Sequence, residues 1–432
     1  MNRKRQGSVR VLVAAVVATA ALAIGGLVTP ADAQSSANQV PGVSAKQIDV
    51  GALVALTNPT GSNYQDSVTA AKAYFDQVNK NGGLFGRKLV MKKVIDEQTR
   101  TSKDLLGARS LVEESKVFAV LPVATSSFAG ADYLAQSGTP TFGLEIQSDW
   151  AKGPNLFGSN GSYICFDCPQ IPPVYTAQQV GAKKVAIFAY GSSSQSADCA
   201  DVTKQGFDKW GPKVALVDKS FSFGFSANDV SGAVQAIKDQ GVDFVSTCMD
   251  LQGEVNLQKA LQASGVTGVK FYAPNGYQSS ALKDFGSTIE GFTFAVRYLP
   301  FELASTNKEM TAFVKAMKAK GLQPSENALT GWENAALLTA GIKAAGKNFT
   351  QKSVVDSINT ITDWSTNGIR TPINWKTAHS PAAPGDQECW SYIQVKGGKF
   401  VPVFGQPGKP FVCFPVNPYP ATLDNPTFVA GG

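Results

Sequence analysis

Apolar and polar positions fall into a repeating pattern along this chain: short apolar runs of five to eight residues, each followed by a longer stretch with apolar residues every three or four positions. The first run, residues 48–54, ends in the loop Thr57-Asn58-Pro59-Thr60-Gly61, and residues 67–79 follow with helical spacing. The turn Asn81-Gly82-Gly83-Leu84-Phe85-Gly86-Arg87 then leads into a second strand, residues 88–96. Further strands are expected at 118–122, 139–144, 184–190, 213–220, 242–248 and 269–273, with helices at 104–115, 201–210, 229–240, 253–264, 307–320 and 328–345. This alternation predicts an α/β fold of parallel sheets flanked by helices. Loops that follow its strands lie at the carboxyl edge of the sheet, where open α/β folds bind ligands.

At 432 residues the chain exceeds one ordinary core, so two lobes are expected. No low-complexity tract divides them. Breaks at 168–173, at Tyr298-Leu299-Pro300 and at Arg370-Thr371-Pro372 therefore read as crossings between lobes. The expected division is residues 47–170 plus 300–370 for lobe 1, 171–299 plus 371–415 for lobe 2, and 416–432 as a C-terminal tail. Three crossings make a hinge that permits rigid-body closure.

The N-terminus has its own pattern. Arg3, Lys4, Arg5 and Arg10 precede an apolar run at 11–27 and the small-residue site Ala31-Asp32-Ala33, which predicts a signal peptide over residues 1–33. Cleavage there removes four positive charges and Asp32, taking the formal net charge from +6 to +3, too mild to imply nucleic acid. No cysteine precedes Cys165, so a lipid-attachment cysteine after the signal is missing, and the expected mature protein is exported, soluble and not lipid-anchored.

Export makes disulfides the default for the six cysteines, with fifteen connectivities formally open. Cys389 and Cys413 flank a hairpin-like segment turning at Lys396-Gly397-Gly398 and are the first expected pair. Cys199 and Cys248 each follow or end an apolar strand at what reads as one sheet edge and are the second. Cys165 and Cys168 remain as a local bridge; the alternative, a redox Cys-x-x-Cys, is poorly served by the Pro-rich residues that follow.

Catalytic patterns are missing. The only histidine, His379, lies in a Pro- and Ala-rich loop where solvent exposure is expected, so a Ser-His-acid triad has no evident base. Phosphate-cradling, zinc-helix and nucleophile-elbow motifs do not occur, and the Gly82–Gly86 turn has the wrong spacing for a dinucleotide fingerprint. A non-enzyme without cofactor or metal is the expectation.

Taken together, the strand Gly51-Ala52-Leu53 with Pro59-Thr60-Gly61, the run Asn79-Lys80-Asn81-Gly82-Gly83-Leu84-Phe85-Gly86-Arg87, Asp96, Val242-Asp243-Phe244-Val245 and Ala273-Pro274-Asn275-Gly276 give the mature chain a strong resemblance to the type I periplasmic solute-binding proteins. The group it resembles is the branched-chain amino acid and amide-binding one that serves ATP-driven importers. The resemblance implies a two-lobed protein with a three-strand hinge, a small-molecule ligand, a membrane permease as partner, and a monomer. It also implies that hydroxyls and amides of Ala124-Thr125-Ser126-Ser127 hold a ligand carboxylate at a helix start, as unpaired amides there can. The plainer role for Thr125 or Ser126 is to cap a helix beginning near Phe128. Tyr64, Glu145, Gln147 and Trp332 in the first lobe, and Gln195, Met249, Asp250 and Asn275 in the second, match further contact positions.

One position departs from the family pattern. Members that bind amino acids place an acidic residue where this chain has Asn275, and asparagine holds an ammonium weakly. Either Asp250 supplies the charge, or the ligand is an amide, a urea-like molecule or a small organic acid. Three functions stay open: an importer's binding component, a ligand sensor feeding a signalling receptor, and an exported enzyme.

Overall fold

Strand β1 (Gln47–Val54) is apolar because seven of its eight residues are buried, with partners on both edges and helices on both faces. Helix α1 (Gln65–Lys80) returns the chain to β2 (Lys88–Asp96), and Asn79 joins the two. Its amide donates to the Leu89 carbonyl and accepts from the Leu89 N–H, both at 2.8 Å, like an extra strand residue. Gly83 is required between them: its φ is +74°, and a Cβ would sit 2.1 Å from the Arg87 carbonyl oxygen. Helix α2 (Thr101–Arg109), β3 (Ala119–Ala124), α3 (Ala131–Ser137), β4 (Thr141–Gly143) and β5 (Leu156–Gly158) complete a parallel sheet of order β2-β1-β3-β4-β5. This computed structural model describes residues 40–58 and 62–431. The expected signal peptide and the Pro59-Thr60-Gly61 part of the first loop lie outside the described residues.

The second sheet follows from α4 (Pro172–Gln179), β6 (Lys184–Tyr190), α5 (Ser194–Trp210), β7 (Lys213–Phe221), α6 (Ser231–Gln240), β8 (Phe244–Cys248), α7 (Leu251–Ala263), β9 (Lys270–Tyr272), α8 (Ser279–Phe285) and β10 (Thr293–Val296). Helices α9 (Lys308–Ala319), α10 (Glu326–Ala345) and α11 (Gln351–Ile358) intervene before β11 (Gln387–Lys396), β12 (Lys399–Val403), β13 (Phe411–Pro415) and β14 (Thr427–Val429). The sheet is parallel from β10 to β7 and antiparallel from β10 through β11 and β13 to β14, so it is mixed rather than wholly parallel. Its antiparallel end begins with the expected hairpin: β11 and β12 pair through Gly397 and Gly398, both at positive φ. Residues 427–429, within the expected C-terminal tail, add the edge strand β14 by pairing with β13. Disulfides join Cys165 to Cys168, Cys199 to Cys248 and Cys389 to Cys413.

Packing departs from the expected lobe boundaries. Ile373, Trp375 and Ala378, expected in lobe 2, lie in one core with Phe118, Phe142 and Phe157. Met310, Phe313 and Met317 of α9, expected in lobe 1, join a core that runs from Phe271 and Phe294 of the second sheet to Trp332 and Ala73. This apolar seam is continuous through the ring contacts Tyr277–Phe301, Phe301–Phe313, Phe313–Trp332 and Trp332–Tyr74. Helices α1 and α10 meet at backbone distance, since a Cβ on Gly331 would lie 1.9 Å from the Ser67 carbonyl oxygen.

Candidate functional site

The carboxyl ends of β1, β3 and β4 carry Thr57, Ser126 and Glu145; those of β6 and β8 carry the loop to Gln195 and Asp250. Each loop is braced from within its own layer. Asp96 accepts from the Thr57 N–H at 3.1 Å and hydroxyl at 2.8 Å. Ser196 accepts from the Tyr190 N–H at 2.8 Å and donates to the Cys248 carbonyl at 2.5 Å. The two layers meet where Gln195 Nε2 donates to the Ser126 carbonyl at 3.3 Å. Buried Tyr64 turns its hydroxyl toward those of Ser62 and Ser126, and desolvation raises its pKa. Among the described residues, no acceptor meets the backbone N–H of Ser126 or Ser127.

The ends of β4 and β5 carry a charged cluster. Glu145 Oε1 accepts from the Asn160 N–H at 2.9 Å and from the Asn160 side chain, while its buried Oε2 has no partner among the described residues. Asn160 Oδ1 accepts from Arg370, whose guanidinium also forks onto Glu333, with Nε to Oε1 at 2.7 Å. Desolvation raises the Glu145 pKa against the fields of Arg370 and Arg297.

Glu326, the first residue of α10, is solvent-exposed, yet desolvation pushes its carboxyl up to about 7, with the field of Glu145 adding to the rise and Arg370 opposing it. Arg297, half-buried against the Trp390 ring at 4.4 Å and paired with Glu388, is brought down to about 10 by desolvation. Tyr64 from the first layer, Tyr272 from the second and Tyr298 from a crossing all feel the charge of Glu326.

A family profile described as periplasmic binding protein matches residues 47–399. The chain belongs to that family. No curated protein matches the sequence of this periplasmic binding protein. Its fold is similar to that of LivJ, the branched-chain amino acid transporter substrate binding protein of Streptococcus pneumoniae, solved with isoleucine (TM-score 0.68, 16% identity, covering 83% of this chain and 100% of that one). It is also similar to an R. palustris ABC transporter solute binding protein in complex with benzoate (0.65, 20%, 83% and 95%) and to a fatty acid ABC transporter substrate-binding protein from Thermomonospora curvata (0.67, 19%, 85% and 93%).

In this periplasmic binding protein the sequence-derived contact residues separate into two groups. Tyr64, Ser126, Glu145 and Gln195 lie at the meeting of the layers. The others are engaged inside their own layers. Thr125 is buried, its carbonyl accepting from Gln147 Nε2 at 2.8 Å and its hydroxyl facing Asp104. Gln147 spends its other amide atom on Trp150 Nε1 at 3.2 Å. Ala124 is a buried strand residue whose carbonyl accepts from the Ala55 N–H at 2.9 Å. The helix start expected near Phe128 falls at Ala131, and the Gly130 N–H before it is taken by Asp104 Oδ1 at 2.6 Å rather than left for a ligand.

In the second layer Met249 is buried in the core, with its carbonyl accepting from Asn275 Nδ2 at 3.0 Å. Asp250 caps α7 through the Gly253 N–H at 3.0 Å and takes the Tyr190 hydroxyl at 2.7 Å, so both its oxygens are engaged. Trp332, expected as a pocket wall, is fully buried between Tyr74 and Phe313, with Nε1 donating to Glu309 at 2.8 Å. His379, expected to be exposed, is half-buried against Phe157 and Trp375, and desolvation holds its imidazole down at about 4.

Sequence reasoning missed Glu326, Arg297, Arg370 and Asn160. A usable signal existed for two of them, because Arg297 and Arg370 sit directly in apolar or Pro-marked crossings, where a charge needs a partner. A separate cleft of about 550 Å³ lies on the crossings at Leu299, Leu303, Gly368 and Gly431. None of the contact residues expected from the sequence lines it, and the charged groups lie elsewhere, so the Gln195–Ser126 contact with the charged cluster, and not this cleft, is the candidate site.

Proposed function

We propose that this protein is the extracytoplasmic solute-binding component of an ABC importer, exported without a lipid anchor and working as a monomer. Its lobes close around a small polar metabolite and present the closed form to a membrane permease. The observation that carries this reading is the hydrogen bond from Gln195 to Ser126, which joins the first turn of α5, after a strand of the second sheet, to the loop after β3 of the first. A ligand touching both loops stabilises only the closed arrangement, and that population shift is the signal a permease reads. Tyr64, Ser126, Glu145 and Gln195 are the contacts assigned to it.

The first lobe of this reading comprises residues 47–158 with α10, α11 and residues 373–378; the second comprises residues 172–296 with β11 to β14; α9 fills the seam between them. Isoleucine and benzoate, bound by two similar structures, both bear a carboxylate, and the amides of Ser126 and Ser127 suit one here.

The test is a thermal-shift screen of amino acids, amides and small carboxylates, followed by small-angle scattering. A ligand at a hundred times its dissociation constant adds about 2.7 kcal/mol of stability. The expected binder raises the melting temperature and reduces the radius of gyration. Turnover of the bound compound, or no stabilisation by any class, overturns the reading.

A further inference from the structure

The chain passes from β5 of the first sheet to α4, ahead of the second, through residues 159–171. Both ends of that crossing are fixed. On the first side the N–H groups of Ser162 and Tyr163 donate to the Ala378 carbonyl at 2.8 and 2.9 Å, and Ala378 is buried in the core with Phe157. On the second side the Gln170 N–H donates to the Val202 carbonyl at 3.1 Å, and α5 comes so near that a Cβ on Gly206 would sit 2.2 Å from the Gln170 carbonyl oxygen. Residues 164–169 span the gap between these anchors, and the Cys165–Cys168 disulfide closes a loop inside the span.

This disulfide is unlike the other two. Its cysteines are 3 apart in sequence and both part-exposed, whereas the pairs Cys199–Cys248 and Cys389–Cys413 are 49 and 24 apart and have Cys248, Cys389 and Cys413 buried. A bridge stabilises a fold by closing a loop in the unfolded chain, more so for longer loops, so the local one contributes least to folding. What it fixes is length. The Cα atoms of Cys165 and Cys168 are 5.4 Å apart. With the bond open, the same three residue steps can extend to about 10 Å. Exposed Asp167 guards the bridge: its Oδ1 lies 2.9 Å from Cys165 Sγ, and its carboxylate is within 4.8 Å of both sulfurs.

We propose that Cys165–Cys168 is a thiol-exchange site, opened by low-molecular-weight thiols and selective for cationic over anionic ones, whose opening loosens and lengthens the first crossing between the sheets. The incoming thiolate attacks Cys168 Sγ, because the Asp167 carboxylate covers Cys165. The S–S bond breaks, and Cys165 leaves as a thiolate that takes a proton from water. A second thiolate attacks the mixed disulfide at the sulfur of the first thiol, which releases Cys168 reduced and the two small thiols oxidised to one disulfide. Two electrons pass from the small thiols to the protein. The Asp167 charge repels an anionic thiol and attracts a cationic one. The site does not rest on the binding function proposed above, and its test uses no solute.

The experiment treats the folded protein with cysteamine or mercaptoacetate at equal thiolate concentration, quenches with acid, and follows each of the three bridges by peptide mass spectrometry. Hydrogen exchange of peptides covering residues 159–171 is measured before and after. The Cys165–Cys168 bridge is expected to open on the order of tenfold faster than the other two, since access limits exchange, with the small thiol caught on Cys168. Exchange is expected to rise at Ser162, Tyr163 and Gln170 while β11 and β13 stay protected. Cysteamine is expected to outpace mercaptoacetate, and Asp167→Asn to quicken mercaptoacetate about fivefold, the worth of one unit charge at contact in water. The double variant Cys165→Ser with Cys168→Ser, its folding checked by circular dichroism, is expected to show the raised exchange without any thiol. Faster or equal opening of either other bridge, capture of the small thiol on Cys165, equal rates for the two thiols, or unchanged exchange at residues 162–170 once the bridge is open overturns the proposal.

Discussion

Gln195 and Ser126 follow strands of different sheets and touch through one hydrogen bond of 3.3 Å, from the Gln195 amide to the Ser126 carbonyl. Gln195 lies in the first turn of α5, whose cap Ser193 accepts from the Ser196 N–H at 3.2 Å, so its position is fixed by a helix and not by a free loop. The contact exists only when the layers approach. On the proposed reading its loss acts on closure rather than on folding.

Gln195→Ala is accordingly expected to leave the melting temperature of the free protein nearly unchanged. A neutral hydrogen bond contributes about 0.5–1.5 kcal/mol, so ligand affinity should weaken roughly three- to tenfold. Calorimetry with the ligand found by screening, paired with thermal melts of the free protein, measures both. Equal losses in melting temperature and affinity would place Gln195 in the fold instead.

Asp104 predicts a pH effect of a definite sign. It is fully buried, with Oδ1 accepting from the Gly130 N–H at 2.6 Å, and desolvation pushes its carboxyl up to about 7. A carboxyl raised in the folded state binds a proton that the unfolded chain releases, so its stabilisation is complete below the ordinary carboxylate range and is lost as pH rises through about 7. Each pH unit in that window costs about 1.4 kcal/mol. Asp104→Asn keeps the acceptor for Gly130 and removes the titration. The variant is expected to be the more stable protein at pH 8, and its stability to fall less between pH 5 and pH 7, in urea titrations at each pH.

Arg370 and Glu333 are both nearly inaccessible, and their pairing is bidentate. Removing the guanidinium in Arg370→Met strands a buried carboxylate, which costs about 3–5 kcal/mol. Replacing both, as Arg370→Met with Glu333→Leu, removes the stranded charge and is expected to restore most of that loss. Denaturant midpoints of the two variants decide it; equal destabilisation would mean that packing and the Asn160 contact, not the charge, set the cost.

Much of the fold could be read from the chain because its cause is local. Ile48 to Val54 and Lys184 to Tyr190 are apolar runs since both faces of a parallel strand are covered, and Gly397-Gly398 turns a hairpin through positive φ. The site was only partly readable. Thr125, Gln147 and Asn275 are polar residues at strand ends, and sequence does not distinguish one that turns inward to a carbonyl from one that faces a ligand. Glu145, Asn160, Glu326 and Arg370 come together only through the crossings, so no spacing along the chain announces them. Trp375, expected in the second lobe, packs in the first core for a related reason: a residue shortly after a proline break still packs where its ring fits, against Phe157.

Trp332 separates core from pocket most sharply. Its ring meets Tyr74 edge-on at 5.0 Å between centroids and Phe313 at 5.7 Å, and its Nε1 donates to Glu309 at 2.8 Å. Trp332→Phe keeps an aromatic ring but removes the hydrogen bond to Glu309 and part of the packed volume of the seam. Large-to-small changes in a packed core combine a transfer loss with a residual cavity, so the expected cost is about 1–3 kcal/mol of folding stability. Because the ring is shielded from solvent and lies away from Ser126 and Gln195, the affinity of the folded protein for its ligand is expected to stay within twofold of wild type. Calorimetry well below the melting temperature measures this. A loss of tenfold or more with stability preserved would move Trp332 back to the pocket wall and require the seam to open when ligand enters.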